Sequence, residues 1–304
     1  MLVALAKIKG IEVVAKFPWK IGVVSFMLYP ELIKKSEGIA ETIIKIAQDP
    51  YMDLIEVSKI SDKDWALIKE KVTEVEFARG LQPMILGGLD ISSLDEETRR
   101  KAVDSLKKEI EHDVKYGIKA FGICTGKDPG EAKRKEAIEK LVDSLIELTS
   151  TAKNYGAVIL LETFDRKWDK KLLLGPIGEA AQVVEKVREV NSNIALLWDL
   201  SHAPMLEEKP EDLKPYADLL GHIHIGCTKK VEDRLYDWHP GFYRPGALNI
   251  VDDVAELLEV LLDIKYRGAV SFEVKPEENQ LPEEVLYTAK QVLTEAFIRT
   301  LERI

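Results

Sequence analysis

The chain alternates short apolar runs with longer segments patterned as amphipathic helices. Eight runs stand out: 20–27 (KIGVVSFM), 53–60 (DLIEVSKI), 79–86 (RGLQPMIL), 118–125 (IKAFGICT), 157–164 (AVILLETF), 194–201 (IALLWDLS), 219–226 (LLGHIHIG) and 268–274 (GAVSFEV). They are rich in Val, Ile, Leu and Phe and alternate little. That pattern suits strands buried on both faces, as in a parallel sheet. The clearest helical segment is 93–117, where Val103, Leu106, Ile110 and Val114 recur on one face. Ser93 with Glu96 reads there as a capping box, and Gly117 as the stop. Segments 130–155, 177–190, 251–265 and 281–303 read similarly, and 31–48, 62–75 and 210–218 read as shorter helices.

Eight strands each followed by a helix is the count of a closed barrel, so the pattern predicts an α/β fold, a single (β/α)8 TIM barrel over 18–304. Strand starts recur about every 35 residues, room for a crossover helix each time. Residues 1–17 are left over as an N-terminal extension, for which a cap on the barrel floor is one role. The rival is an open doubly wound sheet, which would carry a glycine-rich turn after its first strand. The turn here reads SFMLYPEL, with no glycine, and neither a dinucleotide nor a P-loop signature occurs.

At 304 residues and 46% hydrophobic content the chain can build a large core. No apolar run approaches the length of a membrane span. The N-terminal MLVALAKIKG lacks the shape of a signal peptide. Two cysteines, Cys124 and Cys227, make no disulfide framework and read as small packed residues. The expected location is the cytoplasm, with no membrane partner. The net charge of −10 argues against a nucleic-acid partner. Five Asn and five Gln beside abundant Glu and Lys fit a thermophile.

Active sites of such barrels lie at the C-terminal ends of the strands. Four ionisable residues end successive runs there, the fifth to the eighth: Glu162, Asp199, His224 and Glu273. Three carboxylates buried together are costly unless a positive charge offsets them. One divalent cation per chain would do so, and a mainly oxygen donor set favours Mn²⁺, Co²⁺ or Mg²⁺, with Zn²⁺ also admissible. The alternative is four separate strand-end residues, each with its own ion pair. His202, three residues after Asp199, falls beside the same point. His222 shares a strand face with His224 and reads as a packed, hydrogen-bonded residue. His112 falls opposite its helix's apolar stripe and reads as exposed. The long segment 227–250 holds Asp237 and His239, which suit a second metal or a substrate contact. Trp238 and Tyr243 are candidate pocket walls. Trp198 and Phe164 flank the ligands and read equally as core.

At LLETF, WDLSH, GHIHIG, HPGFYRPGALNI and GAVSFEV, covering 157–274, the sequence resembles the xylose isomerase-like barrel superfamily of sugar isomerases and epimerases, which also includes endonuclease IV. Glu56 on strand two fits the same architecture. The resemblance implies that Glu162, Asp199, His224 and Glu273 are metal ligands and that His202 contacts substrate. It implies a metal-dependent isomerase or epimerase acting on a sugar or a related polyol or keto acid. Glu162 and Glu273 would exchange protons beside the carbonyl through a metal-stabilised enediolate. A homo-oligomer is a family expectation.

The sequence also departs from the family's ketose epimerases. Past the metal histidine they carry a Glu and then Asn-Arg, whereas this chain reads HIGCTKK. Cys227 takes the Glu position and Lys230 the Arg position. Lys230 and His239 remain candidate substrate contacts, but Lys230 lacks the planar fork of an arginine. Endonuclease IV, a zinc-dependent nuclease acting at abasic sites, is the second reading. Glu162, Asp199, His202, His224, Asp237, His239 and Glu273 match its ligand positions. Its two further histidines on early loops have no counterpart, since no histidine precedes His112. A non-catalytic sugar-binding barrel is the third reading.

Overall fold

The computed structural model describes residues 2–8 and 10–303. Its centre is a closed barrel of eight parallel strands: β3 (Lys20–Val24), β4 (Leu54–Val57), β5 (Glu76–Gly80), β6 (Ala120–Ile123), β7 (Val158–Glu162), β8 (Ile194–Asp199), β9 (Leu220–Ile225) and β12 (Ala269–Phe272). They pair in chain order, and β12 closes the ring onto β3. The (β/α)8 expectation is therefore met. Two short antiparallel pairs lie outside the barrel, β1 (Val3–Ile8) with β2 (Ile11–Lys16) and β10 (Lys229–Val231) with β11 (Arg234–Tyr236).

Each strand is shorter than the apolar run that announced it, because the runs continue into the loops above the barrel. The clearest case is 79–86. Its strand ends at Gly80, and Gln82–Leu86 turns helical, with Pro83 in the first turn where its missing N–H costs nothing. Helix Glu96–Asp113 is capped by Asp95, which accepts from Thr98 N, rather than by the expected Ser93 box. Ser93 Oγ instead accepts from Asp95 N, two residues before the cap. Gly117 ends the segment at φ +86°, a left-handed conformation that glycine adopts without strain. Helices Glu131–Lys153, Ile177–Arg188, Val251–Asp263 and Pro282–Arg303 stand where the periodicity placed them. The segment 31–48 splits into a 3-10 turn and Ala40–Ala47, and 210–218 is 3-10.

The main core lies between the strands and the helix ring, with Trp65, Phe121, Trp198, Phe272 and Phe297 fully buried. A separate small cluster of Leu160, Ala195 and Leu197 fills the barrel axis. Buried charge also ties strand to helix: Arg79 on β5 meets Asp113 at 2.8 Å and Glu109 at 3.2 Å. The β1–β2 hairpin and the residue before it bury Leu2 and Ala4 in the main core, with β1 lying beside the last helix. The floor remains a cavity of about 750 Å³ whose lining holds no residue of either hairpin strand. His112 is only partly exposed: its ring nitrogens bond Asp113 and Asp62. None of the helices among the described residues is long and apolar enough to cross a membrane.

Candidate metal centre

The register of the last strands brings the four expected ligands together. A bulge at Gly221 on β9 shifts the pairing so that Asp199 stands level with His224 and Leu197 level with His222. A one-residue slip would turn both histidines away from the axis. Glu162 ends β7, Asp199 ends β8, and Glu273 follows β12 directly. One oxygen or ring nitrogen from each of Glu162, Asp199, His224 and Glu273 lies within 4.8 Å of the others. His224 Nδ1 is 2.7 Å from Glu273 Oε2 and 3.9 Å from Glu162 Oε1. Glu162, Asp199 and His224 are buried and Glu273 is partly exposed; Glu162, His224 and Glu273 line a cavity of about 420 Å³.

His202, Asp237 and His239 form a second cluster against the first. His202 Nδ1 donates to Thr163 O at 2.8 Å, which turns Nε2 toward Asp237 Oδ1 at 3.0 Å and Asp199 Oδ2 at 3.4 Å. His239 Nε2 meets Asp237 Oδ1 at 2.6 Å, and its Nδ1 meets Ser201 Oγ at 3.1 Å. Asp199, His202 and His239 also have the spacing of a metal site. Lys170, which sequence reasoning missed, reaches Asp237 Oδ2 at 3.0 Å. Gln82 was also missed: its Nε2 donates to Glu162 Oε2 at 2.8 Å. Gln82 is the polar residue inside the run RGLQPMIL, just past the strand end at Gly80, so an inventory of polar as well as ionisable residues within the runs would have found it. Room for its amide comes from Gly122, whose added Cβ would stand 2.7 Å from Gln82 Nε2.

The remaining expected residues divide. Trp238 lines the cavity and stacks on Tyr236, and Phe164 lines it and packs on the His202 ring at 4.4 Å. Trp198 is core, with its indole N–H on Glu208. Tyr243 is exposed and outside the cavity lining. Lys230 also falls outside it. Its side chain is exposed on β10, where pairing with β11 and the bond from its N to Gly246 O fix the strand on the surface. The cations that do line the cavity are Lys170 and Lys275. Cys227 is buried with its thiol on Asn249 O, and Cys124 is buried likewise, so both are packed residues.

The electrostatics follow from the crowding. Burial, reinforced by Glu273, pushes the Glu162 carboxyl up to about 8. Burial acts the same way on Glu273, but His239 and His224 outweigh it and hold Glu273 below the usual carboxylate range. For His224 burial opposes protonation, yet Glu56 and Glu273 raise it well above an ordinary imidazole. His239 reaches about 9 in the same way, with Glu273 and Asp237 overcoming burial. Protonated histidines therefore supply the positive charge that this cluster of carboxylates requires. A cation can replace them. Glu162 Oε1 is buried with no hydrogen-bond partner, and three carboxylates plus one imidazole are the donors of an oxygen-rich divalent site. The residues fit such an ion.

The class is that of an eight-stranded parallel barrel carrying, at its C-terminal mouth, a carboxylate–histidine cluster whose donors fit a divalent cation. Comparison with known proteins makes the assignment specific. A profile of the xylose isomerase-like TIM barrel family matches residues 50–291, and the chain belongs to that family. It is 30% identical over 117 residues to a probable endonuclease 4 of Thermotoga sp. (strain RQ2), a stretch covering 38% of each chain. Less than two thirds of that relative's length is thus matched. A crystal structure of the IOLI protein with a binding zinc atom superposes with a TM-score of 0.70 at 21% identity, covering 92% of this chain and 99% of that one. D-psicose 3-epimerase with D-tagatose, from Clostridium cellulolyticum H10, gives 0.65 at 19% identity over 93% and 99%.

Proposed function

We propose that this protein is a divalent-metal-dependent isomerase or epimerase of a sugar or a related polyol or keto acid. The observation that carries the reading is the pair Glu162 and Glu273. They reach one centre from β7 and β12, with β8 and β9, and hence Asp199 and His224, between them. Without an ion, burial and Glu273 push Glu162 up to about 8, while His239 and His224 hold Glu273 below the usual carboxylate range. Two carboxyl groups facing one centre, both ionised when they hold a cation, suit the two bases of a proton exchange. One would take the proton beside a substrate carbonyl, and the other, protonated in turn from solvent or a substrate hydroxyl, would return one. Glu162, Asp199, His224 and Glu273 would hold the ion, which when bound supplies the Lewis acidity that polarises that carbonyl. Phe26, Phe164 and Trp238 give the cavity apolar walls, while Lys170, Lys275 and His239 offer polar contacts to hydroxyl groups, and the buried His202 stands behind them on Asp237. Similarity to sugar epimerase structures supports the substrate class.

The second reading is abasic-site nuclease chemistry, favoured by the His202–Asp237–His239 cluster and the Thermotoga relative. Against it, a glutamine, Gln82, reaches Glu162 from the helical turn after β5, and His112 lies on the outer helix layer. The test is solvent exchange. Protein loaded with Mn²⁺, Co²⁺ or Zn²⁺ is incubated in D₂O with a panel of ketoses and keto acids and followed by NMR. Deuterium entering the carbon beside the carbonyl supports the reading. No exchange with any metal, together with cleavage of abasic-site DNA, would replace it with the nuclease.

A further inference from the structure

The proton exchange just described leaves one buried carboxylate without a task. Glu56 on β4 is 4% exposed and lies inside the barrel, three strands from β9 around the ring. It accepts from His222 Nε2 at 2.8 Å and lies 3.1 Å from His224 Nε2 through each of its oxygens. His224 is therefore held at both ring nitrogens. Nδ1 faces Glu162 and Glu273, and Nε2 faces Glu56. A neutral imidazole carries one N–H, and the hydrogen bond made by one nitrogen decides which nitrogen is left to bind a metal. Beside this contact, Gly22 on β3, between β12 and β4, leaves room for the Ser271 side chain. A Cβ there would stand 2.2 Å from Ser271 Oγ and 3.3 Å from Leu54 Cβ. Ser271 in turn lies 3.2 Å from His222 Nε2.

We propose that Glu56, itself held by His222, is a positioning residue that fixes His224 as the Nε2–H tautomer and so presents Nδ1 to the divalent cation. The inference rests on the reading of His224 as a metal ligand. Histidine ligands of metals commonly donate their second N–H to a carboxylate, and losing that partner costs about 10–100-fold in metal affinity. Here the carboxylate comes from the far side of the barrel axis. His222, its second donor, lines the cavity at the opposite, N-terminal mouth. Support for the ligand thus runs through the barrel interior, where no loop movement at the active mouth reaches it.

The experiment is Co²⁺ binding to the full-length protein, by competition with a chromophoric chelator and by the visible spectrum of the bound ion. Histidine ring ¹H–¹⁵N spectra of the Zn²⁺ form report the tautomer. Wild type should bind one Co²⁺ and show His224 protonated at Nε2. Glu56→Gln should weaken binding about 10–100-fold, change the Co²⁺ spectrum and shift the His224 ring signals. His222→Gln keeps an amide donor toward Glu56 and should lose less, and it carries the test if Glu56→Gln does not fold by circular dichroism. Variants with wild-type affinity, spectrum and ring signals would overturn the inference alone. Two Co²⁺ in wild type and one in Glu56→Gln would overturn it too, because Glu56, His222 and His224 would then themselves be a metal site. Wild type that takes up no Co²⁺ would overturn the metal reading and the inference together.

Discussion

Metal binding at this centre should stabilise the protein more as pH rises. In the metal-free protein burial and Glu273 push Glu162 up to about 8, and Glu56 and Glu273 overcome burial to keep His224 protonated. A cation displaces both protons. Each displaced proton makes the binding constant rise about tenfold per pH unit below the group's folded pKa, about 1.4 kcal/mol. For 304 residues the unfolding entropy is about 0.6 kcal/mol per kelvin. With the ion in fixed excess, the metal-induced rise in Tm should therefore grow by about 2 °C per pH unit for one proton and about 4 °C for two. The metal-free protein should move the other way. Both groups have folded pKa values above their unfolded ones, so the folded state binds more protons. Their contribution is fully present at low pH and falls as pH rises from about 4.5 for Glu162, and from about 6.5 for His224. The assay is calorimetric melting at pH 6, 7 and 8 with excess Co²⁺ and with EDTA. A metal-induced shift that stays constant or shrinks from pH 6 to 8 would refute the reasoning.

Glu162→Gln and Glu273→Gln should each abolish turnover and leave the circular dichroism spectrum unchanged; full activity in both would end the two-carboxylate mechanism. EDTA should remove activity and Mn²⁺ or Co²⁺ restore it, so a demonstrably metal-free yet fully active protein would contradict the metal role. Asp113→Ala strands the buried Arg79 guanidinium with Glu109 as its one remaining carboxylate and should cost about 3 kcal/mol in denaturant unfolding. The double variant Arg79→Met with Asp113→Leu should recover most of that loss. Lys170→Met removes the ammonium 3.0 Å from Asp237 Oδ2 and should favour a second bound ion at His202, Asp237 and His239. An unchanged metal count by elemental analysis would show that the cluster serves as polar contacts instead.

Much of the architecture is legible along the chain because a parallel strand buried on both faces must be apolar throughout, and its crossover helix must show one apolar stripe. Both patterns are local. So is the placement of Glu162, Asp199, His224 and Glu273 at the ends of successive runs, which topology then carries to one mouth. Strand ends were less legible, since apolar character continues from β5 into the turn at Gln82–Leu86 and periodicity does not mark the change. Lys230 illustrates a different limit. Its position three residues past Cys227 placed it near substrate, but the β10–β11 pairing turns it to the surface.

What the sequence by itself determined is the barrel and its four acid and imidazole strand ends. What only the tertiary structure decided is which side chains complete the centre. Gln82 on Glu162, Lys170 on Asp237, and Glu56 on His224 are separated from their partners by 80, 67 and 168 residues. No local period records such pairs. They exist because closing the ring brings strands from both ends of the chain around one narrow interior, where every buried charge must find its partner across the axis.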